Sequence, residues 1–93
     1  MILYCGTISM NSKNKTTLIH IFEEPVRSDI IWADIESLFR ALGADLSEGS
    51  GSRLRVILNG ERAVFHRPHP SPITDKGAVK SVRKFLNNAG IKK

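Results

Sequence analysis

A tight reverse turn at Asn59-Gly60 constrains this chain more than any other feature of its sequence. Asn-Gly between two runs of alternating residues is the strongest short-range signal for a β-hairpin with a two-residue type I′ turn. Such a turn fixes the register of its two strands, which the sequence predicts over residues 52–58 and 61–67. In that register Arg53 lies opposite His66.

The predicted register sorts the hairpin into two surfaces, because side chains alternate between the faces of a strand. The apolar surface, expected to face the core, carries Leu54, Val56, Leu58, Ala63 and Phe65. The other surface carries Arg53, Arg55, Arg62 and His66, with Ile57 and Val64 between them. Guanidinium groups on an open sheet face suit a polyanion, and an imidazole adds proton chemistry near neutral pH.

Charge is distributed unevenly along the chain. The 93 residues suffice for one domain with a modest core, and the formal net charge is +5. Residues 1–52 have a balance of −3, whereas residues 53–93 have a balance of +8. A basic half of this kind is typical of a protein that binds nucleic acid or an acidic protein, although it could serve solubility alone.

The amino-terminal segment bears on compartment and domain limits. Cys5 is the single cysteine, which excludes an internal disulfide and fits a reduced cytoplasm. The apolar start is too short for a secretory signal, and no stretch approaches transmembrane length. We expect residues 1–15 to be a flexible leader, with Met10 as an alternative start, ahead of a single domain at 16–93. A short edge strand at 2–5 is the other interpretation.

Two helices are predicted ahead of the hairpin. The first begins at Thr16 or Thr17 and ends before Pro25, although the same residues also suit a strand. The second spans residues 30–42 and ends at Gly43, which suits a left-handed C-cap. Its predicted buried stripe consists of Ile31, Ile35, Leu38, Phe39 and Leu42.

A further strand and a last helix complete the predicted domain. Residues 44–48 alternate and indicate a short strand, joined to the hairpin by a flexible Gly49-Ser50-Gly51 link. The last helix begins near Thr74-Asp75, where Asp75 supplies a cap or a favourable first-turn charge, and it ends at Gly90. Its outer face is expected to expose Lys76, Lys80, Arg83 and Lys84 to solvent. This order predicts an α+β fold, a small three-stranded antiparallel sheet with helices on one face.

The order of elements and several short motifs resemble HicA-type mRNA interferase toxins of bacterial toxin–antitoxin pairs. The resembling pieces extend from about Ile30 onward: Leu42-Gly43, Gly49-Ser50-Gly51-Ser52, His69-Pro70 after a strand, and Asn88-Ala89-Gly90-Ile91. The resemblance implies a fold like the double-stranded RNA-binding domain. It also implies endoribonuclease activity on messenger RNA that arrests growth, and neutralisation by a HicB-like antitoxin.

One position departs from the family pattern. HicA-type toxins have Gly-Ser-His where this chain has Gly51-Ser52-Arg53, and that histidine is the expected catalytic group. An arginine cannot act as a base, so catalysis is either relocated or lost. Since the hairpin register brings His66 within about 4.5–5.5 Å of Arg53 between Cβ atoms, we expect His66 to be the general acid or base. Arg53 would then stabilise the scissile phosphate.

The surrounding residues receive supporting roles. Those expected to bind RNA are Arg55, Arg62, Arg67 and Ser52. His69 is a second candidate catalytic group, with a solvent-facing loop residue as the alternative. The antitoxin is expected to dock through Arg53, Arg55, Arg62 and His66.

The sequence indicates no cofactor and no metal site. His66 and His69 have a poor spacing for a shared metal, and no third ligand is evident. The predicted activity is therefore that of a metal-independent endoribonuclease. A non-catalytic RNA-binding module and a basic interaction domain are the alternatives, and both would use the same sheet face.

Overall fold

The computed structural model describes residues 11–91. The elements are α1 (Ser12–Ile21), β1 (Ile30–Ile31), α2 (Trp32–Ala41), β2 (Asp45–Glu48), β3 (Arg53–Leu58), β4 (Glu61–His66), β5 (Ile73–Thr74) and α3 (Lys76–Asn88). Strands β2, β3 and β4 form an antiparallel sheet in that order, and β1 pairs with β5 in a separate two-stranded ladder. The predicted α+β fold with a three-stranded antiparallel sheet is confirmed, whereas the β1–β5 ladder was not predicted.

The β3–β4 hairpin has the register that its turn predicts. Asn59 and Gly60 both have positive φ, at 51° and 86°, as a type I′ turn requires. The ladder places Arg53 opposite His66. The side chain of Asn59 also donates from Nδ2 to the carbonyl of Ala89 at 2.9 Å, which ties the turn to the end of α3.

An apolar core lies between one face of the sheet and the helices. The hairpin contributes the buried side chains Leu54, Val56, Leu58 and Phe65. Four rings meet in this core, and the centroids of each contacting pair are 5.8 Å apart; the rings are Trp32, Phe39, Phe65 and Phe85. Rings at this separation pack favourably in tilted or edge-on arrangements. Because the helices cover this face, the opposite face of the sheet stays open.

The first helix is confirmed as a helix but begins earlier than predicted. Asn11 caps it by accepting the backbone N–H of Asn14 at 2.8 Å. Thr16 and Thr17 therefore lie inside α1, and the prediction that one of them caps it is wrong. Asparagine is at least as good an N-cap as threonine, so the earlier residue starts the helix.

This start also corrects the predicted domain boundary. Residues 12–15, which the sequence assigns to a flexible leader, form the first part of α1, and Asn14 is buried. Residues 1–10, with Cys5 and Met10, lie outside the described residues.

The second helix begins two residues later than predicted. Ile30 and Ile31 form β1, where they pair with Thr74 and Ile73. Ile31 is consequently 44% exposed, so its place in the buried stripe is wrong. The other members of that stripe are buried, namely Ile35, Leu38, Phe39 and Leu42.

Asp75 caps the last helix, which is one of its two predicted roles, whereas the predicted outer face is only partly exposed. The carboxylate of Asp75 accepts the N–H of Ala78 at 2.7 Å. Arg83, expected to face solvent, instead donates to the carbonyls of Ile21 at 2.9 Å and Glu23 at 2.8 Å, and it pairs with Glu24. The reason is that the last carbonyls of α1 have no partner within their own helix and need donors.

Candidate functional site

The open face of the sheet gathers the predicted site residues in three rows. The rows of facing residues on β3 and β4 are Arg53 with His66, Arg55 with Val64, and Ile57 with Arg62. All six side chains are exposed, including Ile57 at 41% and Val64 at 54%. On β2, Ser47 continues the row of Arg55, and Asp45 continues the row of Ile57. The face therefore combines guanidinium groups with two apolar side chains and one acidic corner.

Arg53 and His66 are in contact at the open end of the hairpin. The N–H of Arg67 donates to the carbonyl of Ser52 at 2.9 Å, so the odd-numbered residues of β4 hold the ladder hydrogen bonds. His66 thus faces Arg53 across a non-hydrogen-bonded pair, in which side chains lie closest. Nε of Arg53 is 3.4 Å from Nε2 of His66 and donates to it. In this arrangement the single lone pair of Nε2 accepts the Arg53 N–H, so a neutral imidazole carries its own proton on Nδ1.

The side of this pair that faces β2 is open because residue 49 is glycine. The N–H of Gly49 donates to the carbonyl of Arg53 at 2.9 Å, which extends the β2–β3 ladder. A Cβ at position 49 would lie only 3.0 Å from the Cβ of Arg53. The sequence assigns Gly49 to a flexible link and misses this role, because the register between β2 and β3 is not fixed by a tight turn.

Arg67 lies on the covered side of the sheet, away from the predicted RNA-binding residues. Its Nε donates to Glu36 at 2.7 Å, and its terminal nitrogens donate to both carboxylate oxygens of Glu48 at 2.6 and 2.9 Å. These bonds hold the pKa of Glu48 below its ordinary value, because Arg67 stabilises the charged carboxylate. The alternation that places His66 on the open face places its neighbour on the other side, so this guanidinium is occupied by carboxylates.

His69 and Ser52 lie near the pair without a contact that connects them to it. Both are exposed, and neither side chain makes a hydrogen bond within residues 11–91. His69 follows β4 by three residues, in the proline-rich loop before β5. Their catalytic and RNA-binding roles stay predictions.

The described part of the chain holds neither a metal-ligand cluster nor a membrane-spanning helix. Among residues 11–91, no group of three or more His, Cys, Asp or Glu side chains is arranged to hold a metal ion. No helix in the same stretch has the length and apolar character needed to cross a bilayer.

A protein-family model described as the HicA toxin of bacterial toxin–antitoxin systems matches residues 32–91. The matched stretch contains α2, the whole three-stranded sheet and α3, and it spans more than half of the chain. The chain belongs to the HicA toxin family. No curated protein and no solved structure matches it.

Membership in the HicA family makes this chain the toxin component of a toxin–antitoxin pair, which implies an antitoxin partner. The helix, three strands and helix of the matched region form the fold of HicA toxins, which is like the double-stranded RNA-binding domain. Arg53, expected from the resemblance to stand where the family has a histidine, is the first residue of β3 and lies within the matched region.

Proposed function

We propose that this HicA toxin is a cytoplasmic endoribonuclease that cleaves messenger RNA and arrests growth until a HicB-like antitoxin neutralises it. The observation that supports this most directly is the contact between Arg53 and His66 on an uncovered basic face. A ribonuclease needs a group that moves a proton near neutral pH and positive charge where the phosphate gains charge. The pair supplies both from adjacent strands.

His66 is the proton-transfer group in this proposal. Nε2 accepts from Arg53 in the free protein, so it takes a proton from the attacking oxygen once that oxygen has displaced the Arg53 N–H. Arg53 uses only Nε in that contact, and its two terminal nitrogens make no hydrogen bond within the described residues. Those nitrogens can hold two oxygens of the scissile phosphate in a bidentate contact.

Arg55 and Arg62 bind the RNA backbone on the side of the pair that lies toward the turn. Both are exposed on the open face, and neither forms an ion pair within residues 11–91. Backbone contacts of this kind position a nucleic acid without selecting its sequence. Arg67 is left out of this set because Glu36 and Glu48 occupy it.

Replacing His66 tests the nuclease directly. His66→Ala should lower RNA cleavage by roughly 10²–10⁴-fold, the usual contribution of a general acid or base, and should abolish growth arrest. The measurements are growth after induction without antitoxin and mapping of transcript ends. His20→Ala is the matched control, because His20 lies in the last turn of α1 and should leave cleavage at the wild-type rate.

A fold check accompanies both variants, since a lost fold would imitate lost catalysis. His66 is exposed, so its replacement should leave the melting temperature within a few degrees of wild type. Wild-type cleavage by folded His66→Ala contradicts the assignment of His66.

The alternative is an RNA-binding protein without nuclease activity. Arg53 at the position of the family histidine favours it, because the group that family members are expected to use is missing. In that case the wild-type protein binds RNA in a salt-dependent manner and produces no cleavage products.

A further inference from the structure

Strand β4 forms an edge of the sheet with unused backbone groups. The sheet order ends at β4, and no other strand in residues 11–91 pairs with it on its outer side. The odd-numbered residues of β4 bond to β3, so the N–H and C=O groups of Arg62, Val64 and His66 point away from the sheet. An edge of this kind is a template for an additional strand.

A groove runs along this edge between β4 and α3. It encloses about 530 Å³, and its wall on α3 includes Ala78, Ser81, Lys84 and Phe85. Glu61 and Asp75 also line it. The groove thus has room beside the strand edge, with apolar and polar side chains to meet the inner face of an incoming segment.

We propose that this edge accepts an extended acidic segment of a partner protein as a fourth strand of the sheet. The inference rests on the proposed function in one respect, that the partner is the antitoxin. Residues of an added strand lie beside their cross-strand neighbours on the same face. The side chains beside Arg62, Val64 and His66 should therefore be acidic, apolar and acidic.

A second copy of this chain is a poor occupant of the same edge. Antiparallel pairing of two β4 strands about Val64 would place Arg62 of each copy opposite His66 of the other, within a face that also carries Arg53 and Arg55. The pairing would also join the two open faces into one surface with the arginines of both copies, and like charges on adjacent strands destabilise a strand pair. The net charge of +5 adds repulsion between the copies.

Strand addition at this edge would obstruct the proposed catalytic pair. His66 belongs to β4 itself, so a strand hydrogen-bonded to its outer N–H and C=O groups lies directly beside the imidazole. An acidic side chain beside His66 would also repel an approaching phosphate. The antitoxin would then neutralise the toxin by adding a strand through main-chain hydrogen bonds, without any change in the fold of the toxin.

A capped peptide with the core Glu-Thr-Val-Thr-Glu is the probe for this proposal. Its pattern is the same in both directions, so it presents acidic, apolar and acidic side chains to β4 in either orientation. Titration into the ¹⁵N-labelled protein should shift the amides of β4 and slow hydrogen exchange at Arg62, Val64 and His66. The amides of Ala63 and Phe65 already donate to β3 and are the internal controls.

Two matched peptides test the main-chain contact. One peptide is N-methylated at valine and the other at both threonines. Each modification therefore removes N–H donors along one edge of the extended peptide. Strand addition requires that one of them loses at least tenfold in affinity while the other binds like the parent, and the sensitive peptide reveals the direction of pairing. Equal affinity for both N-methylated peptides overturns the proposal, as does an absence of binding at millimolar concentration.

Charge reversal tests the chosen occupant. A Lys-Thr-Val-Thr-Lys peptide should bind to the wild-type protein at least tenfold more weakly than Glu-Thr-Val-Thr-Glu does. With the Arg62→Glu variant, the difference in affinity between the two peptides should be smaller. Dimerisation of the protein through β4 would instead identify a second copy as the occupant and contradict the proposal. These binding measurements do not depend on RNA cleavage, so they fail or succeed separately from the nuclease assignment.

Discussion

At position 53, arginine can make two contacts in a fixed geometry, which lysine cannot do. The guanidinium contacts His66 through Nε and keeps two terminal N–H groups in the same plane for a second partner. An ammonium group is a point charge on a flexible stem and cannot make both contacts in a fixed geometry. Arg53 is therefore suited to contact both the imidazole of His66 and a phosphate.

Arg53→Gln should reduce kcat by roughly 10²–10³-fold with a much smaller change in KM, because the lost contact strengthens as charge develops on the phosphate. Arg53→Lys should retain RNA affinity and still lower kcat by about tenfold or more, since it loses the planar two-contact geometry. Steady-state cleavage of a short RNA measures both. Lys80→Gln removes the same charge from an exposed position on α3 and should match wild type.

At the scale of elements, Arg67 fastens three of them together next to the site. It follows β4 directly and bonds Glu36 of α2 and Glu48 of β2. Glu36 also accepts the indole N–H of Trp32, so the network reaches the core. The backbone N–H of Arg67 bonds Ser52 and closes the ladder just beyond the row of Arg53 and His66. The bonds of Arg67 therefore maintain the register of β3 and β4 in which Arg53 meets His66.

The ion pair between Arg67 and Glu48 predicts that the folded state loses stability in acid. Arg67 lowers the pKa of Glu48 from an ordinary value of 4.5, so the folded state binds this proton less readily than the unfolded state. The stabilisation is complete at pH values above 4.5 and disappears as the pH falls through the lower pKa of the folded state. The melting temperature of Glu48→Gln should thus lie below wild type at pH 6–8.

The difference in melting temperature between the two proteins should then shrink as the pH falls below 4.5. Glu61→Gln is the control on the same sheet, because Glu61 forms no ion pair within residues 11–91. A Glu48→Gln deficit that is constant down to pH 3 would contradict a role for the carboxylate charge.

The elements that the sequence predicted well are those with a local physical signal. Asn59-Gly60 fixes a hairpin register because the turn allows only one pairing of its neighbours, and that register places Arg53 against His66. Gly43 and Asp75 similarly mark the end of one helix and the start of another through backbone geometry and capping. In each case residues within a few positions of one another determine the outcome.

The features that the sequence missed depend on residues far apart in the chain. The two-residue strands β1 and β5 are too short to show periodicity, and they pair across 42 positions from Ile31 to Ile73. Arg83 finds its partners 59–62 positions away at the end of α1. The removal of Arg67 from the RNA-binding set needed only the alternation of β4, but its carboxylate partners needed the tertiary fold.

At the scale of the whole molecule, ion pairing among residues 11–91 neutralises many charges but leaves the arginines of the open face unpaired. Six of the acidic residues are paired with a base elsewhere in the structure: Glu23, Glu24, Asp29, Asp34, Glu36 and Glu48. The three arginines of the open face have no such partner in residues 11–91, so their charge is not locally neutralised. The open face therefore keeps its positive charge within a protein of net charge +5, and this charge attracts a polyanion to the site of the proposed chemistry.

RNA binding should consequently depend on salt through Arg55 and Arg62 in particular. Each phosphate contact to a single strand contributes about −0.7 to the slope of log K against log salt concentration. In a His66→Ala background, which prevents cleavage, Arg55→Gln and Arg62→Gln should each reduce the magnitude of that slope by about 0.7, and together by about 1.4. Fluorescence anisotropy with a labelled single-stranded RNA across roughly 50–200 mM salt provides the values.

Arg27→Gln is the matched control for charge alone. It removes the same unit of charge from the chain, but Arg27 is held by Glu23 at 2.7 Å and Asp29 at 2.9 Å and should not contact RNA. Its slope should equal that of the His66→Ala parent. If Arg27→Gln lowers the slope as much as Arg55→Gln does, RNA responds to the net charge of the molecule, and the open face of the sheet has no special role in binding it.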